Sequence, residues 1–247
     1  MRVPGRPGGV LGVVPARIGS TRFPGKVLAD LGGRPLVCRV AERLAGAARV
    51  DRVVVATDSS EVKAAVEGEG LPVVMVTEPC ATGTDRVAAA VRGYDARVVV
   101  NLQADQALVR PEDIDRVIGR LDDGPSLDLT TLAYPSDDAA AYRRDDVVKV
   151  AIDESGRALS FSRAPLPWAG GNALFLHHVG IYCFRRAALD RFASLPQSEA
   201  ETRESLEQLR AVSNGMAIGV VVTTHASPSV DRPEDLAEVS RILSQGA

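Results

Sequence analysis

One segment of this chain concentrates the side chains that bind phosphate. Pro15-Ala16-Arg17-Ile18-Gly19-Ser20-Thr21-Arg22-Phe23-Pro24-Gly25-Lys26 follows an apolar run and combines Arg17, Arg22 and Lys26 with two hydroxyls and two glycines. Guanidinium, ammonium and backbone N–H donors at this density suit a triphosphate. A solvated polar loop is the plain alternative, but prolines and glycines that restrain the basic side chains favour a ligand. The spacing lacks the GxxxxGK[ST] arrangement, so this is not a Walker loop. Two acids complete the candidate chemistry. Asp105 ends the run Asn101-Leu102-Gln103-Ala104-Asp105, where a carboxylate can meet a hard cation or simply close a turn. Asp231 precedes Pro233 and by itself reads better as an acid near a helix N-cap. Taken together, two carboxylates match what magnesium takes from a protein when phosphate oxygens supply the rest.

The elements that must position these residues follow from periodicity. Val10 to Pro15 reads as a strand and Arg34 to Ala45 as a helix. Arg52 to Thr57 is a β-branched strand, and Ser59 or Ser60 caps a helix through Val62 to Glu67. Val73 to Val76 is a short strand, Thr84 to Gly93 a helix, and Ala96 to Leu102 a continuous apolar strand of the kind covered on both faces. Pro111, with Glu112 and Asp113 behind it, starts a helix that runs to Leu121. Alternating strands and helices predict a doubly wound, mostly parallel α/β sheet. After Asp122 the pattern changes. Leu127 to Ala133, Val147 to Asp153 and Leu159 to Ser162 read as strands, the last two joined in a hairpin at Glu154-Ser155-Gly156. Pro165 to Gly171 is a loop, His178 to Arg185 a strand, Glu199 to Ser213 a helix, Met216 to Thr223 a strand and Pro233 to Ser244 a closing helix. The expectation is a single domain over residues 1–247, with the antiparallel strands inserted within about residues 122–195.

Bulk properties narrow the function. The 247 residues are 45% hydrophobic and 25% charged, enough for one sizeable core without disulfide or metal staples. A net charge of -3 lacks the basic excess that draws nucleic acid. Cys38, Cys80 and Cys183 form no CxxC pair and read as reduced thiols of a cytoplasmic protein. Met1 to Gly9 and the short apolar run behind them do not make a signal peptide, and no stretch reaches membrane-spanning length. Lys26, Lys63 and Lys149 are the only lysines among 29 basic residues, a bias of a GC-rich genome.

Several motifs, in order, resemble one family. These are Pro15-Ala16-Arg17 to Lys26, Ala56-Thr57-Asp58, Thr82-Gly83-Thr84-Asp85-Arg86, Gln103 with Asp105, Phe161-Ser162-Arg163-Ala164, His178 to Tyr182, Leu206-Glu207-Gln208-Leu209-Arg210 and Val230-Asp231 to Leu236. The chain is similar over Val13 to about Val239 to the 3-deoxy-manno-octulosonate cytidylyltransferases. The resemblance implies an α/β nucleotidyltransferase domain, CTP as donor, a small acidic sugar as acceptor, Mg2+ as cofactor and a homodimer. By the same resemblance Arg17, Ser20 and Lys26 hold the triphosphate, Thr82, Gly83 and Arg86 line the cytidine pocket, and Pro15, Ala16 and Gln103 also belong to the nucleotide site. Asp105 and Asp231 hold the metal, while Gln103, Arg163, His178, Tyr182, Glu207 and Gln208 bind the acceptor. Arg17, Lys26 and Asp105 carry the catalysis. Tyr182 could equally be core, and Glu207 a solvated helix charge.

The departures cluster at one place. Where the family reads Asn-Val-Gln-Gly-Asp-Glu-Pro, this chain has Asn101-Leu102-Gln103-Ala104-Asp105-Gln106-Ala107. Ala104 adds a methyl group and Gln106 removes a charge beside the metal acid. This opens a phosphonate such as phosphonoformate as an alternative acceptor. A glycosyltransferase would need an Asp-x-Asp motif that Asp105-Gln106-Ala107 lacks, and a non-catalytic nucleotide-binding protein is the remaining reading. The expected reaction is in-line attack by an acceptor oxygen on the α-phosphorus of CTP, with no covalent nucleophile from the protein.

Overall fold

A computed structural model of the chain describes residues 8–19, 22–166 and 174–246. Ser20 and most of the loop expected from Pro165 to Gly171 lie outside the described residues, as does most of the Met1 to Gly9 segment. The chain divides into two compact units, one running up to Asp115 and resuming at Ser227, the other spanning Arg116–Ala226.

The first unit begins with β1 (Gly9–Ala16), α1 (Leu36–Gly46), β2 (Arg52–Thr57), α2 (Ser60–Gly68), β3 (Val73–Met75), α3 (Gly83–Ala90) and β4 (Ala96–Leu102), with α4 (Pro111–Asp123) at its boundary. Its strands run in the order β3-β2-β1-β4, and every pairing is parallel. The apolar runs of β1 and β4 are buried almost throughout, as expected for strands covered on both faces. The face of α1 that meets the core is Leu36, Val37, Val40, Ala41 and Leu44, the 3.6-residue repeat read from the sequence. Ser59 caps α2 by accepting from Val62 N at 3.3 Å. The helix expected from Thr84 to Gly93 is α3 followed by a 3-10 turn, Val91–Gly93.

The connection order reverses at β1. The chain builds β2 and β3 on one side of it and then returns to place β4 on the other. Pairing of β1 with β4 ends at Val13 and Asn101, whereas β1 continues beside β2 to Ala16 and Thr57. Pro15, which has no N–H to donate, therefore lies beyond the last β1–β4 pair. Strand ends flanking such a reversal form the crevice in which α/β sheets hold ligands.

The second unit contains β5 (Leu129–Ser136), α5 (Ala139–Arg143), β6 (Lys149–Ile152), β7 (Ala158–Ser162), β8 (Phe175–Arg185), α6 (Arg186–Ser194), α7 (Glu199–Glu204), α8 (Gln208–Ser213) and β9 (Ile218–Val222). β5 pairs antiparallel with β8 and parallel with β9, and the hairpin β6–β7 joins β8 through β6. The chain closes with α9 (Pro233–Gly246), which belongs to the first unit.

Three features of the second unit differ from the sequence expectation. α5 and α6 were not foreseen; Asp138 caps α5, but nothing caps α6 with a side chain, so its start carries no signal. The helix expected over Glu199 to Ser213 is broken into α7 and α8 at Ser205, whose φ of 52° is left-handed. The cause is a buried ion pair. Arg210 donates from Nε and Nη2 to Glu201 at 2.9 and 2.7 Å. On a continuous helix, residues nine apart sit on opposite sides and about 13 Å apart along the axis. Only a break lets the two charges meet, and an unpaired buried charge would cost far more than the lost turn.

Candidate functional site

Four candidate groups of the first unit follow strand ends on either side of the reversal. Arg17 leaves β1 and is exposed. The segment behind it is closed by Gly25 N donating to Ile18 O at 3.3 Å, and Gly25 takes a left-handed φ of 71° that lets Lys26 enter a 3-10 turn. Asp105 leaves β4 in a turn fixed by Gln106 N donating to Gln103 O at 3.0 Å. Val230 N donates to Asp105 O at 3.0 Å, which brings the segment preceding α9 against the end of β4.

These ties converge three side chains. Lys26 Nζ lies 3.0 Å from Asp105 Oδ2 and 3.5 Å from Asp231 Oδ1. Arg22 Nη2 reaches the same Asp231 oxygen at 3.1 Å, and Ser229 Oγ donates to Asp231 Oδ2 at 3.0 Å. The Asp231 carboxylate is thus turned to Lys26, Arg22 and Ser229, while Asp235 accepts from the backbone N–H groups of Asp231 and Arg232 at 2.8 Å each and fixes the chain that enters α9. Burial is the largest single influence on the Lys26 ammonium and favours the neutral amine. The combined attraction and hydrogen bonds of Asp105 and Asp231 outweigh it and hold its pKa above 10.5. Lys26 thus stays charged at neutral pH.

A cation fits between these two acids. The lysine ammonium marks a point in reach of one oxygen from each carboxylate, and hard oxygen donors with room for phosphate oxygens are what Mg2+ takes. Among the described residues no cluster of three or more His, Cys, Asp or Glu offers a complete protein cage. A site built from two carboxylates needs the nucleotide's oxygens to finish it.

The residues expected around the base form a second, adjoining network in the same unit. Thr82 is the N-cap of α3 in a reciprocal capping box, with Thr82 Oγ1 accepting from Asp85 N at 3.1 Å and Thr82 N donating to Asp85 Oδ2 at 3.0 Å. Arg86 is buried and donates to Asp58 Oδ2 at 2.6 Å and to Val76 O at 3.3 Å. Asp58 therefore orients Arg86, a role its motif in the sequence did not reveal. Two further residues escaped sequence reasoning because they are polar groups inside apolar elements. Asn101 is fully buried, donating to Thr84 Oγ1 at 2.8 Å and accepting from Gln103 Nε2 at 3.3 Å. This relay fixes the Gln103 amide over Gly83, where an added Cβ would stand 2.8 Å from Gln103 Oε1.

That close approach gives a test. Gly83→Ala should push the flexible Gln103 side chain aside rather than unfold α3, raising KM for CTP about tenfold, the effect of a misplaced polar contact. Steady-state kinetics with a melting curve checks it. An unchanged KM would show that Gln103 does not serve the ligand.

The acceptor candidates other than Gln103 lie in the second unit. Opposite Thr131 and Leu132 of β5, β8 places Tyr182 and Val179, so Gly180 and Ile181 bulge out of the pairing. Thr131 Oγ1 donates into this bulge, to Ile181 O at 2.6 Å, and lies 2.9 Å from His178 Nε2. Because the hydroxyl proton is committed to Ile181 O, His178 must donate Nε2–H to Thr131. Burial pushes the His178 pKa down to about 3, and His177 beside it to about 4, so both rings are neutral. Phe161 meets the His178 ring edge-on at 5.0 Å, and Tyr182 lies 5.6 Å from it. Tyr182 Oη donates to Gln208 Oε1 at 3.1 Å, while Gln208 Nε2 is buried without a hydrogen-bond partner. A buried, unbonded amide donor is rare and suits an anionic or hydroxylated ligand. Tyr182 is thus buried with its hydroxyl bonded. Glu207 is half-buried at the start of α8.

Arg163 is largely engaged with the backbone. Its Nε, Nη1 and Nη2 donate to the carbonyls of Glu204, Asp145 and Ser205 at 2.7, 2.8 and 3.3 Å. It therefore ties together the backbone around the other acceptor candidates and keeps two N–H groups for a ligand. Lys149, fully buried, stands beside it with Nζ donating to the carbonyls of Arg144, Val147 and Arg163.

All three departures from the family pattern are buried. Ala107 is fully so, and Ala104 and Gln106 nearly so. Ser205 is the only described non-glycine residue with positive φ, so Ala104 adopts no conformation that glycine alone would favour. The three cysteines are free thiols, and among the described residues no helix is long and apolar enough to cross a membrane.

Comparison with known proteins fits this arrangement. The family model described as cytidylyltransferase matches residues 11–218. A 3-deoxy-manno-octulosonate cytidylyltransferase of Anaeromyxobacter sp. (strain Fw109-5) is 46% identical over 239 residues, 95% of this chain and 96% of its own. One from Syntrophotalea carbinolica is 43% identical over 245 residues, covering 95% of this chain and 98% of its own. Among solved structures, CMP:2-keto-3-deoxy-manno-octonic acid synthetase complexed with CTP superposes with a TM-score of 0.89 at 36% identity, covering 97% of this chain and 100% of that one. A cytidylyltransferase from Leptospira borgpetersenii, 16% identical with a TM-score of 0.63 over 97% of this chain and 87% of its own, shares the fold.

Proposed function

The chain belongs to the cytidylyltransferase family, and from that premise we propose that it transfers CMP from CTP to 3-deoxy-manno-octulosonate with release of pyrophosphate. The observation that carries this reading is the convergence of Lys26, Asp105 and Asp231 where β1 and β4 end. Two carboxylates on one lysine, beside the basic segment after β1, form a charge arrangement suited to a magnesium triphosphate.

A hydroxyl oxygen of the acceptor attacks the α-phosphorus and gives up its proton to solvent, while the bond from that phosphorus to the pyrophosphate oxygen breaks, with its electron pair leaving on pyrophosphate. Lys26 and Arg17 balance the growing charge on the leaving group. Asp105 and Asp231 hold Mg2+, which supplies Lewis-acid stabilisation of charge at the α-phosphate. Thr82 and Gly83 present the start of α3 to the nucleotide, and Arg86, held by Asp58, presents a fixed guanidinium. For the acceptor, His178 acts as a neutral hydrogen-bonding ring, not a cation, and Gln208 offers its unbonded N–H. Homodimerisation belongs to the same reading and rests on the family resemblance, while a cytoplasmic setting rests on the three free cysteines.

The phosphonate alternative loses much of its support once Ala104 and Ala107 are seen to add packing instead of contact surface. A screen of pyrophosphate release decides the matter. With Mg2+, CTP and octulosonate should give product, while sialic acid and small phosphonates should not. Use of UTP or ATP in preference to CTP would overturn the donor assignment, and turnover of a phosphonate without octulosonate would overturn the acceptor.

A further inference from the structure

Gln106 stands where the resembled family carries glutamate, and its surroundings are unusual. The backbone is fixed on both sides, Gln106 N donating to Gln103 O at 3.0 Å and Val109 N to Gln106 O at 3.4 Å. The side chain is only 7% exposed. Its Nε2 donates to Asp105 Oδ1 at 3.2 Å, while its Oε1 is buried with no hydrogen-bond partner. The amide cannot be turned around. That would set its carbonyl oxygen against a carboxylate oxygen, two acceptors with no proton between them.

Asp105 is therefore gripped from both sides, Oδ2 by Lys26 and Oδ1 by Gln106. A glutamate at 106 could not donate to it. The cost of this arrangement is the unbonded carbonyl, since buried acceptors are almost always bonded in native proteins. The carbonyl shares its amide carbon with the group touching Asp105, so a donor that satisfies it must arrive beside that acid. Magnesium enters protein sites still carrying several waters, whose O–H groups are strong donors.

Resting on the reading of Asp105 as a metal ligand, we propose that Gln106 is a positioning residue for the cation: its N–H orients Asp105 and its Oε1 accepts a hydrogen bond from a water of the bound Mg2+. Partners of this kind set metal affinity about 10- to 100-fold without touching the ion.

The test measures Mn2+ binding to the enzyme–CTP complex by electron paramagnetic resonance for the wild type, Gln106→Met and Gln106→Asn. Calorimetry with CTP in EDTA and melting curves accompany it. Methionine preserves the volume and removes both polar atoms, so Mn2+ affinity should fall about 10- to 100-fold. CTP affinity in EDTA should hold within about twofold, as Gln106 is not among the nucleotide's proposed contacts. The melting temperature should hold or rise by about 3 °C because the unbonded carbonyl is gone. Asparagine is too short to serve Asp105 and the water together and should lose about tenfold, which answers the question if the methionine variant fails to fold. Equal Mn2+ affinity in wild type and variant overturns this inference alone. So does a changed KM for octulosonate with Mn2+ affinity intact, which would give Oε1 to the acceptor. A wild type that binds no CTP overturns the functional reading, and this inference with it.

Discussion

Asp105→Asn is expected to lower kcat/KM about 1,000-fold, a loss on the order of 4 kcal/mol of transition-state stabilisation. Asparagine keeps the shape but removes the charge that, on the proposed reading, holds Mg2+, and it places an uncharged amide beside Lys26, where Asp105 Oδ2 now lies at 3.0 Å. The fold should tolerate the change. Lys26 keeps Asp231 at 3.5 Å, so the ammonium is not left alone. Asp231→Asn should behave alike, and the double variant should lose far less than the product of the two if both acids serve one ion, as proposed. Pyrophosphate release at saturating CTP with a Mg2+ titration measures the effect. A loss below tenfold would remove Asp105 from the reaction centre. Additive losses would separate the two acids.

Acid should destabilise the protein well before its carboxylates titrate. His177 and His178 have pKa values lowered by burial from 6.5 to about 4 and about 3, with Lys149 and Arg144 opposing a charge on His177, Asp146 favouring one, and His177 opposing one on His178. A histidine whose folded pKa is depressed is protonated first in the unfolded chain, so stability falls as pH drops below 6.5 and keeps falling towards the folded values. The two rings together should cost about 4 kcal/mol by pH 5, a large part of the 5 to 15 kcal/mol typical of a domain. Asp138 and Asp153 act in a separate window. Their pKa values are lowered by hydrogen bonds, first from Ala141 N for Asp138 and from the Ser155 side chain for Asp153, so the stability they add is lost only as pH falls below 3.8. Urea unfolding at half-unit steps from pH 7 to 4.5 measures the slope, and His178→Gln should flatten it. A curve flat to pH 5 would mean that the rings accept protons in the folded state.

Much of this architecture was legible before any coordinates. Arg52–Thr57 and Ala96–Leu102 were read with their observed limits because β-branched or apolar runs bounded by Asp58 and Gln103 allow little else. The cap at Ser59 and the proline starts of α4 and α9 are local signals obeying local rules. The single helix over Glu199 to Ser213 was a misreading of the same local evidence. Nothing near Ser205 announces a left-handed residue, since the break is driven by Glu201 and Arg210 meeting in the interior. α6 was missed for a related reason: its buried Ala188, Leu189 and Phe192 repeat weakly, and its start lacks a capping side chain.

For the site, residue type and order in the sequence determined the kind of chemistry. Basic groups beside β1 pointed to a phosphate-holding loop, and the order of the motifs along the chain pointed to cytidylyl transfer, whereas Asp105 and Asp231 read singly were as consistent with a turn and a helix start as with a cation. The sequence could not decide what each group does when no ligand is present, because that depends on distances between segments up to 209 residues apart, as between Arg22 and Asp231. Tertiary structure decided that Asp231 faces Lys26, that Arg86 is set by Asp58, and that Arg163 spends three donors on carbonyls. It also decided which buried side-chain atoms are left unbonded among the described residues, Gln106 Oε1 and Gln208 Nε2 together with Arg52 Nε. Whether a buried polar atom finds a partner depends on everything packed around it, and packing is the one property that a linear pattern of residue types does not contain.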